Sequence, residues 1–279
     1  MRTRWAHTFG ISLGFSALAA LASPVAAQSL VSTGESFVNA RFLPGIPEES
    51  GARISGLRLS LKDGWKTYWR SPGEAGIPPR FDWSESENVK SAEVLWPRPK
   101  VYMSFGMETI GYSDQVVLPI RMTPVDPNLP MHVSGTVDMG VCREICVLER
   151  FTVSETIMPD TPSIGTRQIT HAVAQVPPAA TEVGLISAEC AIVGAGETRD
   201  LNVGLVFKET LETPVVLFEG TEHAWINKAK TYSELGQIRA TAKVHMASES
   251  GWFDRGTLRM TVLADGFSAE IHGCTAPAG

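Results

Sequence analysis

The sequence predicts an all-β protein built from two immunoglobulin-like β-sandwich domains, joined by a short helical, Pro-rich linker. Three observations support this fold class: the apolar runs are short, Gly- and Pro-containing turns separate them, and a Pro-rich segment divides them into two groups. Residues 54–61 (ISGLRLSL) show the pattern most clearly, because apolar residues there interrupt polar or small ones.

Each group contains several predicted strands with turn residues between them. In the first group, the predicted strands are residues 54–61, 116–122, 132–137 and 151–157. In the second group, they are residues 201–207, 214–218, 238–245, 257–263 and 267–272, with turns at 194–196 and 264–266.

One helix is predicted between the two groups of strands. It runs from about Ile164 to Gln175, because Pro162 lies near its start and Pro177 and Pro178 end it. We therefore divide the chain into three parts after residue 27: a first domain at 28–160, a linker at 161–180 and a second domain at 181–279.

The amino terminus is typical of a secretory signal peptide. Arg2 and Arg4 give a short positive region, an apolar run follows at residues 9–22, and small residues end it at Ala27. The apolar run is too short to cross about 30 Å of hydrocarbon. We expect residues 1–27 to be a cleaved signal peptide and the mature protein to be exported.

The charge and hydropathy of the mature chain argue against nucleic-acid binding and against a membrane-spanning helix. The formal net charge is −6, and loss of Arg2 and Arg4 takes it to −8 without leaving a basic run, so nucleic acid is not an expected partner. No later segment reaches 18 apolar residues, so no membrane-spanning helix is expected in the mature chain.

The mature chain contains an even set of cysteines, which in an exported protein predicts disulfides: Cys142, Cys146, Cys190 and Cys274. The two-group layout favours pairing the first with the second and the third with the fourth. The long bridge closes about 85 residues, worth ~4.6 kcal/mol in the chain-entropy model, and we expect it to be structural. The short bridge closes about 5 residues, worth ~2 kcal/mol, and we expect it to be the site of exchange.

The short bridge also demands a turn. Residues four apart in an extended strand lie about 13 Å from each other, well beyond the ~7 Å limit for the Cα atoms of a disulfide. Arg143 would favour a thiolate here, whereas Glu144 and Glu149 would oppose one, and the sequence leaves that balance open.

Two alternatives remain for the short pair. Cys142 and Cys146 with Met139 would offer soft ligands for Cu(I) in a non-catalytic copper-binding or chaperone-like module, whereas zinc would need two more ligands. The nearest histidine, His132, is predicted to lie exposed on a strand, and no metal site is predicted. Alternatively, both disulfides are structural and the protein is a binding domain.

Four motifs occur in order around the first two cysteines: GWKTYWRSPGEAGIPPRFDW (64–83), VLWPRPK (94–100), IGYSDQVVLPI (110–120) and VCREICVLE (141–149). Together they resemble the amino-terminal periplasmic domain of the DsbD thiol:disulfide interchange family, particularly its ScsB-like branch. The resemblance covers about residues 40–155 closely. It extends more weakly to PVVLFEG (214–220) and LRMTVLADG (258–266), which are similar to the second domain of the ScsB type.

The resemblance implies a periplasmic thiol–disulfide oxidoreductase of the protein-disulfide reductase type, with Cys142 and Cys146 as its redox pair and no cofactor. In the family, this domain receives electrons from a membrane-embedded thiol relay and passes them to periplasmic thioredoxin-like proteins. The second cysteine forms the mixed disulfide, which here is Cys146. The better-known DsbD branch spaces its pair more widely, so its geometry does not transfer directly. This chain also lacks the membrane and thioredoxin-like domains, so its reductant is expected to be a separate protein.

The family also shields its cysteines with a loop that carries an aromatic residue. The matching segment is VYMSFGMETIGY (101–112), in which Phe105 is the candidate cap residue, with Tyr102 and Met103 behind it; the alternative is that these side chains are ordinary core. Five further aromatic residues match the family and are predicted to be structural: Trp65, Tyr68, Trp69, Trp83 and Trp96.

Overall fold

The computed structural model describes residues 36–104, 106–220 and 223–277. The predicted signal peptide lies outside the described residues. The described residues form eighteen strands, one α-helix and one 3-10 turn at Arg255–Thr257, and every pair of neighbouring strands in the sheets is antiparallel. The predicted all-β fold class is therefore confirmed.

The first ten strands form two facing sheets. They are β1 (Val38–Pro47), β2 (Arg53–Leu61), β3 (Lys66–Gly73), β4 (Arg80–Asp82), β5 (Val89–Val94), β6 (Lys100–Ser104), β7 (Met107–Ser113), β8 (Gln115–Pro124), β9 (Met131–Cys142) and β10 (Cys146–Ile157). One sheet has the order β1-β2-β8-β5, and the other has the order β10-β9-β3-β7-β6 with β4 also paired to β9.

Alternation along the strands builds the core between these sheets. Successive side chains of a strand point to opposite faces, and in β9 the side chains on one face are buried. The inward residues of β9 are Met131, Val133, Val137, Met139 and Val141, and all belong to one core cluster. The other face of β9 is therefore free to carry a site.

The predicted linker helix is present as α1 (Thr166–Val173). It begins after Gly165, whose φ of 79° is accessible to glycine at little cost. Ile169 is fully buried and packs, with Ala172, on Leu43 and Val117 of the first sandwich. The helix is therefore packed against the first pair of sheets. No helix in the described part of the chain is long and apolar enough to cross a membrane.

The remaining strands form a second pair of sheets. They are β11 (Leu185–Val193), β12 (Thr198–Phe207), β13 (Val215–Glu219), β14 (Ala224–Ile226), β15 (Lys230–Glu234), β16 (Gln237–Met246), β17 (Arg259–Ala264) and β18 (Phe267–His272). One sheet has the order β11-β12-β16-β14 with β15 on β16, and the other has the order β13-β17-β18. A disulfide joins Cys190 on β11 to Cys274 after β18, with 5.7 Å between the Cα atoms.

The two sandwiches contact each other within one compact unit, Ser36–Gly279. Leu217 and Leu263 of the second sandwich join the core cluster of the first. Lys228 also bridges to Glu108 on β7, with 2.8 Å between Nζ and Oε2. The domain boundaries predicted at residues 160 and 180 fall between the two sets of sheets and stay a prediction.

Candidate functional site

The Cys142–Cys146 pair closes the tip of the hairpin formed by β9 and β10. The two cysteines lie directly opposite each other in the strand register, and a disulfide joins them with 4.2 Å between the Cα atoms. This separation is close to the ~4.5 Å of a non-hydrogen-bonded antiparallel pair. The turn demanded by the short bridge is made by three residues, in which the Arg143 N–H donates to the Ile145 carbonyl at 3.1 Å.

The two sulfur-bearing residues differ in their exposure. Cys142 is only 8% exposed, whereas Cys146 is exposed to solvent. Two apolar side chains beside Cys146 also face solvent, Ile145 at 66% and Leu148 at 61% exposure. A thiolate from another protein therefore reaches Cys146 more readily than Cys142.

Tyr68 places a hydroxyl group against both sulfurs. Its Oη donates to the Cys142 Sγ at 2.8 Å and lies 3.5 Å from the Cys146 Sγ. Burial raises the pKa of the Tyr68 phenol, so it remains a proton donor at neutral pH. Gly140 leaves room for the ring, because a Cβ there would lie 3.2 Å from Tyr68 ring atoms and 2.7 Å from the Cβ of Ile77.

Lys66 places a cation on the face of the sheet that carries the disulfide. It lies directly opposite Cys142 in the β3–β9 register, and side chains at opposed positions share one face. Its Nζ lies 4.5 Å from the ring centroid of Tyr102. A lysine near a thiol favours the thiolate, so Lys66 adds to the balance that the sequence left open.

The acidic residues near the pair do not all face it. Glu149 accepts hydrogen bonds from the Phe37 N–H at 2.8 Å and from the Ser36 hydroxyl at 3.2 Å. This carboxylate therefore fastens the start of β1 to β10. Glu144 lies exposed in the turn, where solvent screens its effect on a thiolate.

The copper alternative loses one of its ligands in this fold. Met139 is fully buried in the core of the first sandwich, and its odd offset from Cys142 along β9 places the two side chains on opposite faces. His132 is exposed on β9, with Nδ1 3.1 Å from the Thr156 Oγ1. Within the ranges that the structure describes, no group of three or more His, Cys, Asp or Glu residues is arranged to hold a metal.

The three predicted cap residues have different places. Tyr102 is half-buried on β6, and Met103 on the same strand is 61% exposed. Phe105 lies outside the described residues. The cap role of this segment stays a prediction.

Sequence reasoning missed the contact that Tyr68 makes with the sulfurs. Trp65 and Trp69 are buried in the core, and Trp83 and Trp96 pack against it, as predicted for structural aromatics. Tyr68 is buried too, but its hydroxyl contacts the disulfide. The contact spans 74 residues of sequence, so only the register of β3 against β9 reveals it.

We expect Tyr68→Phe to slow disulfide exchange by about 10- to 100-fold, because a hydrogen bond to a charged group is worth about 1.5–3 kcal/mol and the Cys142 sulfur leaves as a thiolate. Stopped-flow reduction by dithiothreitol measures the rate. Tyr112→Phe is the matched control, since this buried phenol in the same sheet donates to the Pro97 carbonyl at 2.7 Å. Equal rates for the two variants would contradict the role of Tyr68.

One sulfur open to solvent and one held against a proton donor are the arrangement expected of a module that exchanges disulfides with other proteins. Residues 39–157 match the family described as "Thiol:disulfide interchange protein DsbD, N-terminal". The family resemblance carried by the four motifs is thereby confirmed.

The fold is similar to a solved structure that extends over both sandwiches. It is the crystal structure of the N-terminal periplasmic domain of ScsB from Proteus mirabilis, with a TM-score of 0.70 and 21% sequence identity. The match covers 88% of this chain and 95% of that chain. No curated protein matches the sequence.

Proposed function

We propose that this protein is a periplasmic thiol–disulfide relay whose Cys142–Cys146 pair accepts electrons from a membrane thiol protein and passes them to thioredoxin-like proteins. The observation that carries the proposal is the asymmetry of the pair. Cys146 is exposed at the hairpin tip, whereas Cys142 is buried and accepts a hydrogen bond from Tyr68 at 2.8 Å.

Reduction of the pair proceeds by two displacements at sulfur. A thiolate of the donor attacks the Cys146 Sγ, a new sulfur–sulfur bond forms, and the Cys142–Cys146 bond breaks. Cys142 leaves as a thiolate that the Tyr68 hydroxyl stabilises. The second donor thiolate then attacks the donor sulfur of the mixed disulfide and releases Cys146, so that two electrons enter the pair and the donor becomes a disulfide.

Transfer to the acceptor repeats these steps in the opposite direction. The Cys146 thiolate attacks the acceptor disulfide, one acceptor sulfur leaves as a thiolate, and a mixed disulfide forms. The Cys142 thiolate then attacks the Cys146 Sγ, which restores the intramolecular disulfide and releases the acceptor as a dithiol. Only sulfurs and protons take part, so the proposed exchange requires no cofactor.

The surface around Cys146 supports a protein as the exchange partner. Ile145 and Leu148 are the exposed apolar side chains beside it, and on the same face Ile77, 37% exposed, packs where Gly140 has no side chain. Apolar side chains around an open sulfur favour a complementary protein surface over a small hydrophilic thiol.

The test is the reduction potential of the Cys142–Cys146 pair, measured by equilibration in thiol–disulfide buffers and mass mapping of the alkylated peptides. We expect a value above about −300 mV, because structural bridges of exported proteins usually lie below it. The Cys190–Cys274 bridge in the same sample is the internal control and is expected to stay oxidised. A potential for both bridges below that limit would contradict the relay and favour two structural disulfides.

A further inference from the structure

The part of β3 that follows Tyr68 leaves the regular ladder of its sheet. Pairing of β3 with β9 covers Lys66 and Thr67, and β4 pairs with the preceding part of β9, residues 136–138. Pairing of β3 with β7 shifts register between Tyr68 and Gly73. Tyr68 lies opposite Gly111 at the last regular position of this pairing, so the residues between Tyr68 and Gly73 are not held by the regular ladder.

Arg70, two residues after Tyr68, joins this segment to the second sandwich. Its Nε donates to both carboxylate oxygens of Glu219 at 3.1 and 2.9 Å, and its Nη2 donates to Glu219 Oε1 at 2.8 Å. The same Nη2 donates to Glu270 Oε2 at 2.5 Å. The Arg70 side chain is only 12% exposed, so solvent screens these contacts weakly.

The second sandwich presents the two carboxylates as a preformed pair. Glu219 lies opposite Arg259 in the β13–β17 register, and the Arg259 guanidinium donates to Glu270 at 2.7 and 2.8 Å. His272 lies 2.7 Å from the same carboxylate. Glu219 and Glu270 are each 14% exposed, and without Arg70 these two largely buried carboxylates would share the guanidinium of Arg259 and the exposed imidazole of His272. Arg70 supplies the second positive charge that this cluster requires.

We propose that Arg70 is a positioning residue for the redox pair and that the second sandwich, through Glu219 and Glu270, holds β3 so that the Tyr68 hydroxyl stays on the Cys142 sulfur. The inference rests on the proposed relay function and assigns the second sandwich a part in it. Loss of the Arg70 contacts frees the irregular segment of β3, lengthens the contact between Oη and Sγ, and weakens the stabilisation of the Cys142 thiolate.

The measurement is the pKa of the Cys142 thiol in the full chain, followed by thiolate ultraviolet absorbance in a Cys146→Ser background in which Cys142 is the single thiol of the short pair. We expect Glu219→Gln combined with Glu270→Gln to reduce the thiolate-to-thiol ratio about three- to tenfold, up to the limit set by Tyr68→Phe. Arg70→Lys, which keeps the charge and loses the fork of donors, is expected to act in the same direction. Thermal unfolding of each variant confirms that the protein is folded.

Asp200→Asn is the matched control, because it removes an exposed ion pair of the second sandwich, with 2.7 Å between Lys243 Nζ and Asp200 Oδ1, that does not contact β3. It is expected to leave the thiolate ratio unchanged. The decisive comparison repeats the glutamate substitutions in a Tyr68→Phe background, where they should cause no further change. The same three- to tenfold loss without the Tyr68 hydroxyl would overturn the inference, as would an unchanged ratio in folded Arg70→Lys and glutamate variants.

These outcomes are separable from the outcome for the proposed function. The pKa measurement uses no partner, so a shift carried through Tyr68 supports the positioning role even where the wild-type pair fails to exchange with thiol proteins. If the wild-type pair exchanges disulfides, but the substitutions of Arg70, Glu219 and Glu270 leave the thiolate-to-thiol ratio unchanged, the relay is supported and the inference is overturned.

Discussion

The Cys142→Ser variant is expected to accumulate a mixed disulfide with a partner protein through Cys146, whereas Cys146→Ser is expected to trap little or none. In the first variant, Cys146 is exposed at the hairpin tip and position 142 holds no thiol to resolve the bond. In the second, the remaining cysteine of the pair, Cys142, is only 8% exposed. The measurement is non-reducing gel electrophoresis of periplasmic and membrane extracts after acid quenching, with mass spectrometry of each adduct.

The control for this trap is the variant that lacks both cysteines of the short pair, which should form no adduct. The proposed relay predicts that the trapped partner is a membrane or periplasmic thiol protein. Trapping through Cys142 alone would reverse the roles of the two sulfurs. Absence of adducts from both variants, together with Cu(I) binding that requires both sulfurs, would favour the copper-binding alternative.

Strands with strong alternation could be predicted from sequence, and strands defined by their partners could not. Residues 54–61 and 267–272 were predicted almost to the residue, because turn residues bracket an alternating run. The short strands β4 to β7 were not predicted, since β4 has three residues and the KSAEV segment of β5 carries few apolar side chains. These segments become strands through pairing with β3, β8 and β9 and, for β6 and β7, with each other.

The hairpin that carries the site was predicted too short. The first of its two strands was predicted to end at Val137, but β9 continues to Cys142, and β10 begins at Cys146 rather than at Phe151. Asp138 and Gly140 obscured the alternation, because Gly140 has no side chain to show which face it occupies. That missing side chain is what leaves space for Tyr68, so the weak strand signal and the site have one cause.

Some features of the site can likewise be predicted from the local sequence, whereas others depend on residues that are far apart in the chain. The cysteine pair is local, and its spacing in an exported chain predicts a disulfide that must turn. Tyr68 contacts the pair, and Lys66 lies opposite Cys142, only through the β3–β9 register. Arg70 contacts Glu219 and Glu270 only through the packing of the two sandwiches. Neither set of contacts can be predicted from the spacing of residues along the sequence.

The second large expected effect is that removal of each disulfide has a different consequence. Removal of one mainly lowers stability, and removal of the other mainly abolishes exchange. Cys190→Ser with Cys274→Ser should lower the free energy of unfolding by about 2–5 kcal/mol, because the bridge closes a long loop and Cys190 is 1% exposed in the second core. Removal of Cys142 and Cys146 should cost about 2 kcal/mol and abolish exchange. Urea unfolding and exchange with a thioredoxin-like protein measure the two quantities.

Peptide mass mapping of the oxidised wild type first checks the pairing, and a peptide that links Cys142 or Cys146 to Cys190 or Cys274 would contradict it. Equal exchange activity in the two double variants would remove the functional distinction between the bridges, which rests on the exposure of Cys146 and on the Tyr68 hydroxyl at the hairpin bridge.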